Sequence, residues 1–139
     1  MRLRTQTLHM ALCACFALPL VAAAQSPIPS TTVAFPKGST SAAFNGKMQG
    51  SKAGTRDYVV PASAGQRMTV ELKTKSSSAH FNVLPPGSEE ALYRGEMENE
   101  PHWSGVLPAS GDYRIRVFLN RAAARQGKSA TYDLKIAVV

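Results

Sequence analysis

Three segments of this chain alternate apolar and polar residues with a period of two, and this alternation limits the possible folds more than any other feature. The clearest segment is residues 67–74, in which every second residue is Met, Val or Leu. The same pattern recurs at residues 113–120 and 131–138. Because successive side chains of a strand point to opposite faces, the pattern predicts strands with one buried and one solvated face.

Weaker strand signals fill the rest of the chain. They cover residues 32–35, 42–49, 56–60, 79–84 and 103–107. Turns that contain Gly or Pro separate the strands about every ten residues, a spacing that favours a sandwich or small barrel. We therefore expect an all-β chain: an antiparallel β-sandwich of about seven to eight strands, with one short helical turn near residues 121–126. The acid-rich residues 89–100 are predicted to form a solvated loop or a weak edge strand.

The N-terminal residues predict export. Arg2 and Arg4 precede an apolar stretch that closes on three alanines, which is typical of a signal peptide over residues 1–24 with cleavage after Ala24. The alternative is lipoprotein processing at Cys15. The apolar stretch continues beyond Cys15, which argues against this alternative. Because the stretch is shorter than the roughly 20 residues needed to span a membrane and ends in small residues, we expect no membrane anchor on the mature protein.

The mature chain is predicted to consist of a short tail and one domain. Residues 25–32 are polar and contain two prolines, and we expect them to form a flexible N-terminal tail. Residues 33–139 contain nearly all the predicted strands and are long enough for a single domain. Both cysteines of the chain leave with the signal peptide, so the domain depends on its core without a disulfide.

The charge of the mature chain is moderately basic. Removal of the leader takes two of the 16 basic residues and leaves 14 against nine acidic ones, a net charge of +5. A basic exported domain suits an acidic protein, a polyanion or an anionic surface. Nucleic acid is not an expected partner, because few aromatic residues are interleaved with the basic ones and nucleic acid is scarce outside the cytoplasm.

No catalytic residue, cofactor or metal is expected from the sequence. Ser110, His102 and Asp112 have the residue types of a hydrolytic triad, but the Gly-x-Ser-x-Gly pattern of a nucleophile elbow is absent. His80 and His102 are the histidines left after cleavage, and their separation, with no cysteine, has no metal-ligand spacing.

A binding surface is the better interpretation of residues 110–125. Ser110 and Gly111 lie in a predicted hairpin turn, and Tyr113 follows in the next strand. Arg121 and Arg125 are four residues apart, so one helical turn projects both from one side. Because guanidinium groups bind carboxylates bidentately, the pair suits an acidic cleft. A purely structural alternative stays open, in which the turn only joins two strands and Tyr113 is a core residue.

Several short motifs recur in an order that is typical of one protein family. They are Phe35-Pro36-Lys37-Gly38, Gly46-Lys47-Met48-Gln49-Gly50, Ala64-Gly65-Gln66, Phe81-Asn82-Val83, Leu107-Pro108-Ala109-Ser110-Gly111-Asp112-Tyr113, and Arg121 with Ala124-Arg125. In this order and spacing the chain resembles the periplasmic lysozyme inhibitors of Gram-negative bacteria, specifically those against invertebrate-type and goose-type lysozymes.

The resemblance implies a periplasmic, non-catalytic β-sandwich that plugs the acidic substrate cleft of a lysozyme. In the family a Ser-Gly-x-Tyr loop enters the cleft, and Ser110, Gly111 and Tyr113 match it. Family arginines after the next strand are implicated in goose-type inhibition, and Arg121 and Arg125 match them. We expect lysozyme as the protein partner and a monomer or homodimer as the oligomeric state.

Two further resemblances leave alternatives open. The motifs at residues 81–83 and 110–113 lean slightly toward the invertebrate-type inhibitors. The turn at residues 65–66, together with residues 108–117, also resembles the C-terminal prepeptidase domains of secreted proteases. That second resemblance implies a β-sandwich module that binds cell-wall glycan or protein, for which the candidate sugar platform is Trp103, Tyr93 and Phe118.

Overall fold

The computed structural model describes residues 27–139, which form nine strands and two short helices. The elements in chain order are β1 (Ser30–Thr32), β2 (Ser41–Gln49), β3 (Thr55–Ala62), β4 (Arg67–Thr74), β5 (Ala79–Leu84), β6 (Tyr93–Arg94), α1 (Gly95–Glu98), β7 (His102–Val106), β8 (Gly111–Leu119), α2 (Arg121–Arg125) and β9 (Ser129–Val138). The predicted signal peptide and its cleavage site lie outside the described residues.

The strands form two sheets that share one apolar core. The five-stranded sheet has the order β1-β3-β8-β5-β6, and the four-stranded sheet has the order β2-β9-β4-β7. All neighbouring strands are antiparallel except β1, which runs parallel to β3. The prediction of an antiparallel β-sandwich is confirmed. Within residues 27–139 no helix is long and apolar enough to cross a bilayer.

The core sits between the sheets because the period-two residues of each strand face inward. Tyr113, Ile115 and Val117 of β8 are fully buried, and Leu134 and Ile136 of β9 are at most 1% exposed. Burying one such apolar side chain stabilises the fold by roughly 1.5–3 kcal/mol. Burial of the alternating apolar side chains is therefore the main interaction that holds the two sheets together.

A hydrogen bond between two tyrosines joins the sheets inside the core. The hydroxyls of Tyr58 on β3 and Tyr132 on β9 lie 2.7 Å apart. Burial, and next the hydrogen bond with Tyr58, raise the pKa of Tyr132 above its ordinary value. Gly46 pairs with Tyr132 on the neighbouring strand, and a Cβ at Gly46 would lie 2.5 Å from the Tyr132 hydroxyl oxygen. Glycine at this position therefore makes room for the tyrosine pair.

An ion-pair network covers the outer face of the five-stranded sheet. Arg116 on β8 binds Asp57 on β3 bidentately, with N···O distances of 2.8 and 3.0 Å. The hydrogen bonds that the Arg116 guanidinium donates to Asp57 are the main cause that raises the pKa of Arg116. Arg114 binds Glu89 at 2.9 Å, so part of the acid-rich loop is held against this face. Arg114 and Arg116 therefore stabilise the fold through ion pairs within the protein.

The structure differs from the predicted element boundaries at two places. The sequence predicts a flexible tail over residues 25–32 and a strand over residues 32–35, but the strand is Ser30–Thr32 (β1) and residues 33–35 are not part of it. Backbone hydrogen bonds from Asp57 to Pro29 and from Val33 to Val59 pair β1 with the edge of β3. The acid-rich segment contains the edge strand β6 as predicted, and also the helical turn α1, which was not predicted. The helical turn predicted near residues 121–126 is confirmed as α2.

Candidate functional site

The helix α2 carries the two candidate arginines and begins with a side-chain cap. Asn120 precedes the helix, and its Oδ1 accepts a hydrogen bond from the backbone N–H of Ala123 at 2.9 Å. The backbone N–H of Asn120 in turn donates to the carbonyl of Ser78 at 2.8 Å. An N-cap bond satisfies an amide that would otherwise lack a partner. Asn120 therefore fixes where α2 starts and how it leaves β8.

The other side of α2 packs against the loop between β2 and β3. Ala123 is buried, and Ala124 lies beside Gly54, where a Cβ would stand 3.8 Å from the Ala124 Cβ. After the helix, the N–H of Lys128 donates to the carbonyl of Ala123 at 3.0 Å, and the carbonyl of Lys128 accepts from Gly50 at 2.9 Å. A five-residue helix is too short to be stable alone, so these contacts hold it in place.

Arg121 and Arg125 are the two charged residues of this helix. Both residues are exposed, and within residues 27–139 neither makes an ion pair or a side-chain hydrogen bond. Arg121 also borders an open depression of about 350 Å³ together with Ser51, Thr55 and Glu96. The pair therefore offers two guanidinium groups to a partner from a short but well-anchored helix.

The Ser110 turn lies at the other end of β8 and is tied internally. The Oγ of Ser110 accepts a hydrogen bond from the backbone N–H of Ala64, in the turn between β3 and β4, at 2.9 Å. Gly111 has a φ of +144°, and a Cβ there would lie 3.0 Å from the ring carbons of Pro86. Both residues are exposed, but their contacts chiefly hold neighbouring turns together.

Tyr113 is a core residue, which decides between the two roles that the sequence left open. Its side chain is fully buried. Its hydroxyl donates to the carbonyl of Ala109 at 2.6 Å and accepts from the N–H of Ala109 at 3.1 Å. Tyr113 supports the turn from below and has no surface with which to contact a partner.

The predicted site residues form two groups, and the structure does not bring the groups together. Ser110, Gly111 and Tyr113 lie at the first end of β8, and Arg121 and Arg125 lie beyond its last residue. A strand of nine residues spans about 26 Å at about 3.3 Å per residue. The two groups therefore occupy opposite ends of the sandwich.

The other candidate groups do not converge either. Tyr93 is buried, Phe118 packs beside His80 on the five-stranded sheet with ring centroids 5.9 Å apart, and Trp103 lies on β7 of the other sheet. They form no common sugar platform. His102 is also on β7, so the two histidines lie on different sheets. In the part of the chain that the structure describes, no group of three His, Cys, Asp or Glu residues could hold a metal ion.

Asn120 and Gly54 support the helix α2, and neither role was predicted from the sequence. Asn120 has a residue type that is strongly preferred at N-caps, and its place before a helix-prone run was a usable signal. Gly54 had no usable signal, because its packing against Ala124 depends on how the chain folds back.

Comparison with known proteins finds a group of lysozyme inhibitors. No family model matches the chain. An inhibitor of g-type lysozyme from Escherichia coli (strain K12) is 31% identical over 111 residues, which cover 78% of this chain and 80% of that protein.

Solved structures agree with this finding. PliG of Aeromonas hydrophila, a periplasmic lysozyme inhibitor of g-type lysozyme, is 38% identical with a TM-score of 0.72 and covers 81% of this chain and 97% of its own. PliG of Salmonella Typhimurium, likewise an inhibitor of g-type lysozyme, is 27% identical with a TM-score of 0.63 over 80% and 98%. The pre-peptidase C-terminal domain of a Bacillus anthracis collagenase is 11% identical with a TM-score of 0.59 over 81% and 99%, and shares only the fold.

Proposed function

Because the chain belongs to the family of periplasmic inhibitors of g-type lysozyme, we propose that it inhibits a g-type (goose-type) lysozyme by occupying the enzyme's substrate cleft. The observation that carries this proposal is the similarity to such an inhibitor over 80% of that protein's length. In this proposal the protein is an exported inhibitor that has no catalytic activity of its own.

The proposed contact surface is the end of the sandwich that carries α2. Glycoside hydrolysis depends on carboxyl groups beside the scissile bond, and a guanidinium group binds a carboxylate bidentately. Arg121 and Arg125 are exposed, lie four residues apart on α2, and form no ion pair among the described residues. This combination supports insertion of the arginine pair into an acidic cleft.

The Ser110 turn is proposed to have a supporting role in this chain. Its hydroxyl is already engaged by Ala64, and the ring of Tyr113 is buried beneath it. A standard interface buries about 800 Å² on each partner, and its centre provides most of the affinity. An interface centred on α2 therefore leaves the opposite end near its rim or outside it.

The lean of two sequence motifs toward invertebrate-type inhibitors is not supported by the relatives, which are inhibitors of the g-type enzyme. The motif at residues 110–113 has a structural explanation here, because it builds the turn and its hydrogen bonds. The likeness to prepeptidase domains extends to the fold alone.

We also propose that the protein is released into the periplasm by cleavage after Ala24. The relatives of known structure are periplasmic, and the first 24 residues have the signal-peptide pattern. Intact-mass measurement of protein from the periplasmic fraction should give a chain that begins at Gln25. An acylated chain that begins at Cys15 would contradict this.

A turbidity assay tests the function directly. Purified mature protein is titrated against goose-type, invertebrate-type and chicken-type lysozymes acting on the same bacterial cell-wall suspension. We expect clearing by the goose-type enzyme to stop near one equivalent of inhibitor, with much weaker effects on the other two. Undiminished clearing by the goose-type enzyme at a large excess of folded protein would overturn the proposal.

A further inference from the structure

A second cationic surface lies on the outer face of the four-stranded sheet. It does not include α2, the helix that carries Arg121 and Arg125. Three neighbouring strands, β2, β9 and β4, enclose an open depression of about 760 Å³ near the ends of these strands. Lys47 borders the depression on one side, and Lys73 and Lys75 border it on the other. A volume of this size is within the usual range for small-molecule sites, roughly 300–1,000 Å³.

The two outer lysines are available to a ligand. Lys47 and Lys75 are exposed, and in the part of the chain that the structure describes neither takes part in an ion pair. Lys47 pairs in register with Thr131, and Thr74, the neighbour of Lys75, donates its hydroxyl to the Thr131 carbonyl at 2.8 Å. Two strand spacings therefore separate the lysine backbones, about 10 Å, with a threonine between them.

The next row of the sheet adds groups that bind hydroxyls. Asn45, Asp133 and Lys73 are opposite one another on the three strands, and all three border the depression. The carboxylate of Asp133 only accepts hydrogen bonds, and the Asn45 amide both donates and accepts. A simple anion gains little from Asp133, whereas a ligand with both anionic and hydroxyl groups can use the whole surface.

The composition of the depression argues against a protein, a membrane or nucleic acid as its ligand. Its aromatic member, Tyr132, is 4% exposed and lies beneath the surface. Centres of protein interfaces are rich in aromatic residues and poor in lysine. Amphipathic elements that bind a membrane surface carry exposed apolar side chains, and proteins that bind single-stranded nucleic acid carry aromatic stacking platforms; the depression has neither. A hydrophilic, negatively charged small ligand fits best.

We propose that this depression binds a saccharide that carries acidic groups. Lys47 and Lys75 hold its carboxylate or phosphate groups, while Asn45, Thr131 and Asp133 bind its hydroxyls. The site adds a second ligand to the proposed inhibitor and does not rest on lysozyme inhibition, since it uses neither Arg121 nor Arg125.

Titration followed by backbone-amide NMR shifts tests the site on the mature protein. The probes are trigalacturonate, glucosamine phosphate, neutral maltotriose and inorganic phosphate. We expect at least one acidic saccharide to shift residues 45–47, 73–75 and 131–133, with maltotriose and inorganic phosphate about tenfold weaker or worse. The two acidic probes distinguish carboxylate-bearing from phosphate-bearing sources. Equal binding of inorganic phosphate would mean adventitious attraction of ions only, and absence of binding by both acidic probes would overturn the proposal.

A matched pair of variants assigns the binding to the lysines. The double variant Lys47→Gln with Lys75→Gln should bind the acidic saccharide about tenfold more weakly. The control, Lys37→Gln with Arg94→Gln, removes the same charge from exposed positions outside the depression and should bind as wild type does. Unfolding temperatures confirm that both variants are folded. Equal losses of saccharide binding in the two variants would show that net charge alone causes the effect. A loss of lysozyme inhibition in the lysine variant alone would show that the surface binds the enzyme. Either result contradicts the proposal.

Discussion

Single residues explain why one arginine pair is available while another is not. Arg114 and Arg116 bind Glu89 and Asp57 on the outer face of the five-stranded sheet. Arg121 and Arg125 have no such partner within the described residues, and they project from a capped helix. The same residue type thus serves the fold at two positions and, in our proposal, recognition at two others.

The Tyr113 hydroxyl yields a prediction at this scale. Tyr113→Phe removes both hydrogen bonds to Ala109 and leaves its N–H and carbonyl without that partner. The free energy of unfolding should fall by about 1–3 kcal/mol, measured by urea denaturation. Inhibition of the goose-type enzyme by the folded variant should change little, because the turn is far from α2. Wild-type stability in this variant would show that the turn does not depend on the hydroxyl.

Ser110 separates a supporting role from direct contact. Ser110→Ala removes the acceptor for the Ala64 N–H, which is exposed enough to bind water instead. We expect a loss of stability of no more than about 1 kcal/mol and inhibition close to wild type. A large loss of inhibition with unchanged stability would place the Ser110 turn in the interface.

At the level of elements, α2 shows how a short helix is made rigid by what surrounds it. The residues before and after it, Asn120 and Lys128, make hydrogen bonds to the helix. Gly54 packs against Ala124 of the helix. The helical tendency of residues 121–126 was visible in the sequence. The packing of Gly54 against the helix was not visible in the sequence, because it depends on contacts between segments that are distant along the chain.

The cap of α2 can be tested separately from the arginines. Asn120→Ala should lower stability by about 1 kcal/mol and weaken inhibition, because α2 loses the bond that fixes its start. Asn120→Ser keeps a capping oxygen and should restore most of both properties. The readouts are urea unfolding and the inhibition constant. If Asn120→Ala inhibits as well as wild type does, the geometry of α2 is not what the enzyme recognises.

Much of the element content followed from the sequence because it depends on local pattern. The three strongly alternating segments correspond to β4, β8 and β9, since each must bury one face. The pairing of Ser30–Thr32 with β3 did not follow, because a three-residue strand has too few side chains to show a period. The prediction of one binding surface over residues 110–125 did not take account of the direction of β8, which separates the arginines from Ser110.

For the whole molecule, cohesion between the sheets includes a polar contact inside the core. The Tyr58 and Tyr132 hydroxyls bind each other across the sandwich. Burial disfavours the ionised form of Tyr132 and so raises its pKa. The sequence predicted both residues in strands but did not show that they meet.

The raised pKa predicts how stability depends on pH. Below the ordinary tyrosine pKa of about 10 the contribution is fully present. At higher pH the unfolded chain loses a proton that folded Tyr132 retains, so the free energy of unfolding falls, by at most about 1.4 kcal/mol per pH unit for one group. Tyr132→Phe should be less stable than wild type at neutral pH but lose stability less steeply above pH ~10. Parallel slopes in urea unfolding series would contradict the assignment.

The most direct test of the central claim is the dissociation constant of the mature protein for a goose-type lysozyme, measured by calorimetry. The double variant Arg121→Ala with Arg125→Ala should bind about 100-fold more weakly than wild type, or worse. Lys37→Ala with Arg94→Ala, which removes the same charge elsewhere, should bind within about threefold of wild type. Wild-type affinity in the folded arginine variant would contradict the account, because the α2 surface would then not be the part of the molecule that binds the enzyme.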